Sequence, residues 1–187
     1  MVEPAKLALP FTRHGVTLRA ITEADLNAML PYFSDPNVCR FIPWEPRDES
    51  GVLEFITNRA VTDIPVNQGE HFIVGFEADG LGLCGQLNFT LTDPKELTGE
   101  FGYVINPSMA GRGIASRAVK ALLDLLFTEL GMRRLTAWID ERNTASIALV
   151  ERLGLRRESR EVEVEYFKGE YVTMLRYAIL SREWPQG

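Results

Sequence analysis

Apolar positions along the chain alternate between a strand-like period of two and a helical period near 3.6, and the switches outline its elements. Val16 to Ala20 is β-branched and apolar and predicts a first strand. Thr22 with Asp25 three residues on is a capping-box start, aspartate standing in for glutamate, to a helix reaching about Phe33. Ser34-Asp35-Pro36-Asn37 breaks that helix, and an aromatic, proline-rich connection, Val38 to Pro46, leads to a second amphipathic segment from about Asp48 to Val61 with Val52, Phe55 and Ile56 on one side. His71 to Glu77 and Leu83 to Leu91 read as strands joined through Asp79-Gly80, with Glu100 to Ile105 as a third. From Arg112 to Leu130 the spacing of Ile114, Val119, Leu122, Leu123, Leu126 and Leu130 predicts a helix that Gly131 ends, and the strand Leu135 to Ile139 follows. Asn143 caps a helix carrying Ile147, Leu149, Val150 and Leu153 that stops at Gly154, and the chain closes with a hairpin, Val162 to Phe167 and Tyr171 to Ile179, around Lys168-Gly169. The order β-α-α-β-β-β-α-β-α-β-β is an α/β arrangement with a central crossover from Glu100 to Ile139. Residues 1–14 read as an N-terminal tail and 15–184 as one domain.

Composition narrows the classes. With 187 residues, 45% hydrophobic and 25% charged, the chain suits one globular domain and is too apolar for a disordered segment. The longest apolar runs, such as Ala121 to Phe127, are cut by charges such as Asp124 and fall short of the ~20 residues of a membrane span. Met1 to Pro10 lacks the features of a signal peptide, so a cytoplasmic protein without a membrane partner is expected. Cys39 and Cys84 stand apart with no metal-type spacing and are expected to be buried and reduced, and His14 and His71 are the only histidines. No metal is expected, and proton chemistry falls to carboxylates, hydroxyls or water. A net charge of −6 without a basic stripe opposes direct nucleic-acid binding and is compatible with cationic amine substrates.

The segment richest in chemistry is Tyr103-Val104-Ile105-Asn106-Pro107-Ser108-Met109-Ala110-Gly111-Arg112-Gly113-Ile114-Ala115-Ser116, a strand passing through a glycine-containing loop into a long helix. Gly111 and Gly113 let the backbone approach an anion, and the unpaired N–H groups of the first helical turn point toward it with the positive end of the dipole behind them. A diphosphate fits this arrangement; a loop in which glycine only eases a turn is the alternative. The Walker pattern fails for want of Gly-Lys-Ser/Thr, and the Rossmann fingerprint fails because Ser116 stands where its third glycine belongs.

The run Gly99-Glu100-Phe101-Gly102-Tyr103-Val104-Ile105-Asn106-Pro107, then Gly111 to Ser116, then Asn143-Thr144-Ala145-Ser146 through Glu151-Arg152-Leu153-Gly154-Leu155, resembles the GNAT acetyltransferase superfamily. The opening Asp35-Pro36-Asn37-Val38 with Phe41-Ile42-Pro43-Trp44, and the closing Glu165-Tyr166-Phe167-Lys168-Gly169-Glu170-Tyr171 with Ser181-Arg182-Glu183-Trp184, resemble its Rim-type ribosomal-protein N-terminal (alanine/serine) acetyltransferases. The resemblance spans about Val16 to Trp184. It departs at Ala110, where the family's loop usually begins with Gln, Arg or an aromatic residue, and at Leu155, where phenylalanine is usual. It implies a mixed, mostly antiparallel twisted sheet of about seven strands with about four helices, and acetyl transfer from acetyl-CoA directly to a primary amine.

By that resemblance the backbone of Val104 and Ile105 pairs with the pantetheine arm, Gly111, Arg112, Gly113, Ile114, Ala115 and Ser116 hold the pyrophosphate, and Asn143 touches the CoA arm. Ser146 is the expected proton donor to the thiolate, although Asn143 and Ser146 also suit a plain helix cap. Glu165 matches the general base of the Rim-type enzymes, against the alternative that Glu161, Glu163 and Glu165 form a solvated strand face. Glu100 is the competing base. Phe41, Trp44 and Tyr166 are expected at the acceptor site. Acceptor choices are a protein or peptide N-terminal α-amine, a small-molecule amine such as an antibiotic, polyamine or amino acid, or none at all in a non-catalytic acetyl-CoA-binding module. Monomer and homodimer are both compatible with the sequence.

Overall fold

A computed structural model describes residues 5–185. A single sheet of eight strands runs in the order β1 (Phe11–Arg13), β2 (Val16–Arg19), β3 (His71–Ala78), β4 (Leu83–Asp93), β5 (Thr98–Ile105), β6 (Arg134–Asp140), β8 (Glu170–Leu180), β7 (Arg156–Phe167). Five α-helices flank it: α1 (Leu26–Phe33), α2 (Pro36–Cys39), α3 (Glu49–Arg59), α4 (Ile114–Asp124) and α5 (Thr144–Arg152). Every strand pair is antiparallel except β5 with β6, which the α4 crossover makes parallel. The mixed α/β fold expected from the sequence is the fold found. No helix among the described residues is long and apolar enough to cross a membrane.

Local sequence explains most boundaries. Thr22 donates its backbone N–H to the Asp25 carboxylate at 2.9 Å, closing the turn before α1, and Arg19 grips the same carboxylate with both terminal nitrogens at 2.8 and 2.7 Å. The break expected at Ser34-Asp35-Pro36-Asn37 is found, since α1 ends at Phe33, and Asp35 then caps the short α2 by accepting from the Asn37 N–H at 2.8 Å, with Pro36 at its first position. α4 ends as an α-helix at Asp124 and widens into a π-helical turn over Leu125–Glu129. Of the tail expected over 1–14, residues 1–4 lie outside the described residues. The remainder joins the body: Leu7 is buried, and β1 turns through His14-Gly15 to pair with β2.

Two cores lie on opposite faces of the sheet. On one face Phe72, Val74, Leu87, Phe89 and Phe101 meet α4 through Val119, Leu122 and Leu123, and α5 through Leu149 and Val150. On the other, α1 and α3 bring Met29, Phe33, Val52, Phe55 and Ile56 over Ile73 and Val104. Cys39 and Cys84 are buried free thiols. The strand parities follow from the sequence: in β4, Leu87, Phe89 and Leu91 serve the first core, so Gln86, Asn88 and Thr90 must face α1 and α3. That second face is therefore polar along its middle, and the two helices do not close over it completely.

The first core is tied to the chain ends by the carboxylate of Asp124. It accepts from Trp184 Nε1 at 2.7 Å and lies 2.6 Å from His14 Nε2, although only 8% of the residue is exposed. Trp184→Phe keeps a ring against Phe127 but leaves a buried carboxylate oxygen without its donor. It is expected to lower stability by about 1–3 kcal/mol in urea unfolding; a loss under about 0.5 kcal/mol would mean that the bond contributes nothing net.

Candidate active site

The parallel ladder between β5 and β6 lasts for three residue pairs, Thr98 with Arg134, Gly99 with Leu135 and Glu100 with Thr136. Beyond Glu100 the strands part, while β5 continues along β4 to Ile105 and β6 continues along β8 to Asp140. The β6-facing backbone of β5 past Glu100 consequently has no strand partner, and unpaired strand backbone calls for another extended chain. Tyr103 and Ser146 meet across the gap through hydroxyls 3.1 Å apart. Asn143 caps α5 by accepting from the Ser146 N–H at 3.1 Å, which fixes Ser146 on the first turn.

A cavity of about 810 Å³ runs from this gap across the polar face of the sheet to the wall formed by Phe41–Trp44 and α3. That volume suits a bound molecule rather than a few waters. Its floor follows from strand register: His71 on β3 lies opposite Thr90 on β4, Thr90 opposite Glu100 on β5, and Glu100 opposite Thr136 on β6. Directly paired residues share a face, so His71, Thr90 and Glu100 form a row, with Asn88 and Gln86 one and two steps along β4. Tyr32 donates to Gln86 Oε1 at 3.3 Å from α1. A Cβ at Gly102 would come within 2.7 Å of Asn88 Oδ1, so this residue keeps the middle of the floor open.

Electrostatics sets the groups apart. Burial pushes the Glu100 carboxyl above its ordinary value, and the charge of Arg176 offsets part of that; Arg176 stacks over Trp138 with its guanidinium carbon 4.3 Å from the ring centre. Glu100 has no hydrogen bond or ion pair from any described side chain. Burial also pushes Asp140 up, but hydrogen bonds from Arg142 outweigh it and hold that carboxyl below its ordinary range. Burial lowers His71, helped by the charge of Arg59, and raises Tyr103 against the opposing hydrogen bond of Ser146. Trp44 Nε1 and His71 Nε2, both on cavity-lining residues, are buried and have no partner among the described residues.

Past Ile105 the chain turns through Asn106–Ala110 to α4. Gly111 and Gly113 hold φ of +76° and +71°, and a Cβ on either would meet nothing within 4 Å. Both glycines thus answer to backbone conformation, and the space in front of the helix N-terminus is open. Backbone donors, positive dipole and open approach fit a diphosphate.

The structure brings Glu100, Val104, Asn143, Ser146, Phe41 and Trp44 to one cavity. Gly111, Arg112, Gly113, Ile114, Ala115 and Ser116 form the loop and first turn beyond it, and Ile105 ends β5 between the two. Glu165 and Tyr166 are not among the cavity residues. They sit exposed on the far part of β7, where Tyr166 packs edge-on against Tyr171 at 5.1 Å. The register of β7 slips between Glu161 and Glu165, with Glu163 at φ +49°, so the three glutamates do not share one regular strand face. His71, Asn88, Thr90, Trp138 and Asp140 line the cavity without having been singled out in sequence. For Asn88 and Thr90 the signal was the polar member of each alternating pair in Gln86-Leu87-Asn88-Phe89-Thr90-Leu91.

Comparison with known proteins gives this geometry a setting. The acetyltransferase (GNAT) domain family matches residues 16–156. An uncharacterized N-acetyltransferase of Bacillus licheniformis, p20, is 31% identical over 173 residues, covering 90% of this chain and 94% of its own. The crystal structure of a GNAT-family acetyltransferase from Bacillus anthracis superposes with a TM-score of 0.81 at 27% identity, covering 92% of this chain and 99% of the other. Two further relatives differ in acceptor. The spermidine N(1)-acetyltransferase of Escherichia coli is 24% identical over 91% of this chain and 89% of its own. A Bacillus subtilis protein provisionally named as a ribosomal N-acetyltransferase is 31% identical over 59% of this chain and 60% of its own.

The raised Glu100 carboxyl has a consequence for stability. Because burial disfavours its charged form, ionisation of Glu100 opposes folding: the penalty is absent below the carboxyl's unfolded value and is complete once pH has risen through the folded one. Glu100→Gln is therefore expected to resist urea better than the parent at about pH 7 and to lose that advantage near about pH 4. A variant no more stable at neutral pH would contradict a half-buried, unpaired carboxylate.

Proposed function

We propose, from the premise that the chain belongs to the acetyltransferase (GNAT) family and is an N-acetyltransferase, that it moves the acetyl group of acetyl-CoA onto the α-amine of a protein or peptide N-terminus. The observation that carries this reading is one cavity holding Glu100 and Ser146 together, with the Phe41–Trp44 wall at one end and the parted strands β5 and β6 at the other.

In the proposed reaction the free backbone of Val104 and Ile105 pairs with the pantetheine arm, Asn143 lies beside that arm, and Gly111 to Ser116 receive the pyrophosphate at the N-terminus of α4. Arg112 adds charge beside the phosphates. Glu100 takes a proton from the acceptor ammonium, directly or through water. The nitrogen lone pair then forms the new amide bond to the acetyl carbon as the carbon–sulfur bond breaks; Ser146, hydrogen-bonded to Tyr103, gives its proton to the departing sulfur and is reprotonated, directly or through water, by the proton that the new amide nitrogen releases. Glu100 suits the base role better than Glu165 because it lines the cavity and its burial raises its proton affinity toward the working pH.

Acceptor choice follows from what the interior leaves unpaired. Asp140 is engaged by Arg142, and Glu54 stands on the exposed side of α3, while Arg47 and Arg59 also line the cavity. Glu54 lines the cavity from its exposed side, and Glu100 is the unpaired carboxylate on the sheet floor, flanked by the amides and hydroxyl of Gln86, Asn88 and Thr90. A single ammonium followed by peptide groups matches this set, since peptide N–H and C=O groups need hydrogen-bonding partners. A polyamine, with several ammonium groups, calls for several free carboxylates. An α-amine also gives up its proton more easily, with an ordinary pKa of about 7.7–8.0.

Thiol release from acetyl-CoA, measured with peptides beginning Ala, Ser, Thr or Met beside spermidine, amino acids and aminoglycosides, is expected to be fastest on one peptide class; preference for spermidine would overturn the acceptor assignment. Glu100→Gln is expected to lower kcat/KM about a hundredfold or more at neutral pH, and full activity in that variant would remove Glu100 from the mechanism. Gly113→Val, forcing a β-branched residue to positive φ, is expected to raise KM for acetyl-CoA about tenfold and leave that for the amine unchanged. An unaltered acetyl-CoA KM would place the diphosphate elsewhere.

A further inference from the structure

The last hairpin reaches back to the cavity-lining Trp44, 124 residues away in sequence. β6 pairs with β8 only from Met174 to Leu180, so the part of the β7–β8 ribbon beyond it, residues 162–173, has no third strand. A two-stranded ribbon is marginal by itself in water, and this one is anchored at its tip on both sides. Lys168 Nζ donates to the Trp44 carbonyl oxygen at 2.6 Å, and Glu170 accepts from Arg142 at 2.6 Å. Trp44 belongs to one cavity wall, and Arg142 holds Asp140 on the other. The tip thus spans the two walls.

Its sequence is not the one the turn favours. Lys168 and Gly169 have φ of +50° and +89°, a two-residue turn whose first position ordinarily goes to asparagine, aspartate or glycine. Lysine there bears a backbone cost, and its side chain, 21% exposed, runs to the Trp44 carbonyl. Glu45, 3.5 Å from the same ammonium, is 78% exposed, so that ion pair holds little. The segment Lys168 grips is irregular: Ile42 N–H donates to Cys39 O at 3.2 Å and Trp44 N–H to Ile42 O at 2.9 Å, and the Trp44 ring stacks on Phe33 at 5.2 Å. The ring is fixed by the core, and the Trp44 carbonyl is fixed by the hairpin.

We infer that Lys168 is a positioning residue for acceptor binding, holding the Phe41–Trp44 segment through the Trp44 carbonyl. This rests on the acceptor reading of the cavity. Lys168 contributes no proton and need not touch the acceptor; it sets where Phe41 and Trp44 stand.

The test uses the full chain as Lys168→Ala, Lys168→Arg and Glu45→Gln, with acetyl-CoA and the peptide the parent acetylates. K168A is expected to raise the acceptor KM about tenfold while kcat and the acetyl-CoA KM stay within about twofold. K168R can still donate to the carbonyl and is expected to recover most of the loss, and E45Q to match the parent. An unchanged acceptor KM in K168A overturns the inference, as does a parallel loss in kcat and acetyl-CoA KM, which would mark general damage. Hydrogen exchange supplies a readout that needs no turnover: the Trp44 amide is expected to exchange about tenfold faster in K168A, with the α4 amides unaltered. Should the parent acetylate no amine, the acceptor reading falls, and unaltered exchange across residues 40–46 would overturn the latch separately.

Discussion

The active-site geometry depends on the early end of one parallel ladder. Three rungs join β5 to β6 before the strands separate, although each keeps its outer partner. A sheet that lost this seam entirely would divide the core, and one that zipped it fully would have no passage from one face to the other. Partial pairing leaves Glu100 at the last rung, where β5 is still held on both sides, and leaves the following backbone donors and acceptors free for an extended arm. Position and freedom arise within consecutive residues of one strand. The α5 N-terminus stands at the gap, and the Tyr103–Ser146 hydrogen bond is the side-chain tie across it.

The same sheet solves two packing problems with its two faces. Toward α4 it is mainly phenylalanine, leucine and other apolar side chains, and that core is the larger of the two. Toward α1 and α3 the middle of the sheet is His71, Asn88, Thr90 and Glu100, groups that would cost stability if buried without partners. They remain tolerable because the helices leave a cavity over them. The raised proton affinity of Glu100 and the lowered one of His71 are two signs of this compromise, since partial burial works against either charge. Trp44 Nε1 and His71 Nε2, left without protein partners, are further signs.

Local chemistry was legible in the sequence and long-range register was not. The Thr22–Asp25 turn, the Asn143 cap and the glycine loop before α4 each need only neighbouring residues, and each was read from a handful of letters. The GNAT relationship followed because several such local motifs occur in a fixed order. The row His71–Thr90–Glu100 depends on how three strands align, which alternation within one strand does not specify. The glutamates of β7 show the converse: even alternation in Glu161, Glu163 and Glu165 suggested one face, but a slip in register with positive φ at Glu163 breaks the pleat between them. Ser34-Asp35-Pro36-Asn37 was read as ending the first helix, and α1 does end there, but the short α2 that follows was not foreseen. Proline is also well placed at the first position of a helix, and a new turn of α2 starts there.

Charge illustrates why whole-chain totals say little about a site. The net charge of −6 is compatible with cationic substrates, yet of the three carboxylates that line the cavity Asp140 is held by Arg142, Glu54 stands exposed on α3, and Glu100 is the unpaired one set into the sheet floor. Arg142 occupies Asp140 and also Glu170, so one guanidinium both neutralises a cavity wall and anchors the hairpin. Exposed acids elsewhere are screened within about 8–10 Å at physiological salt and cannot substitute for a carboxylate inside. In the proposed reaction an incoming ammonium would meet Glu100, whose partial burial raises its proton affinity while the charge of Arg176 offsets part of that rise. Under the proposed reading, preference for an amine with one charge rests on Glu100 as the one unpaired carboxylate of the sheet floor among the described residues, with Glu54 left at the exposed side of the cavity.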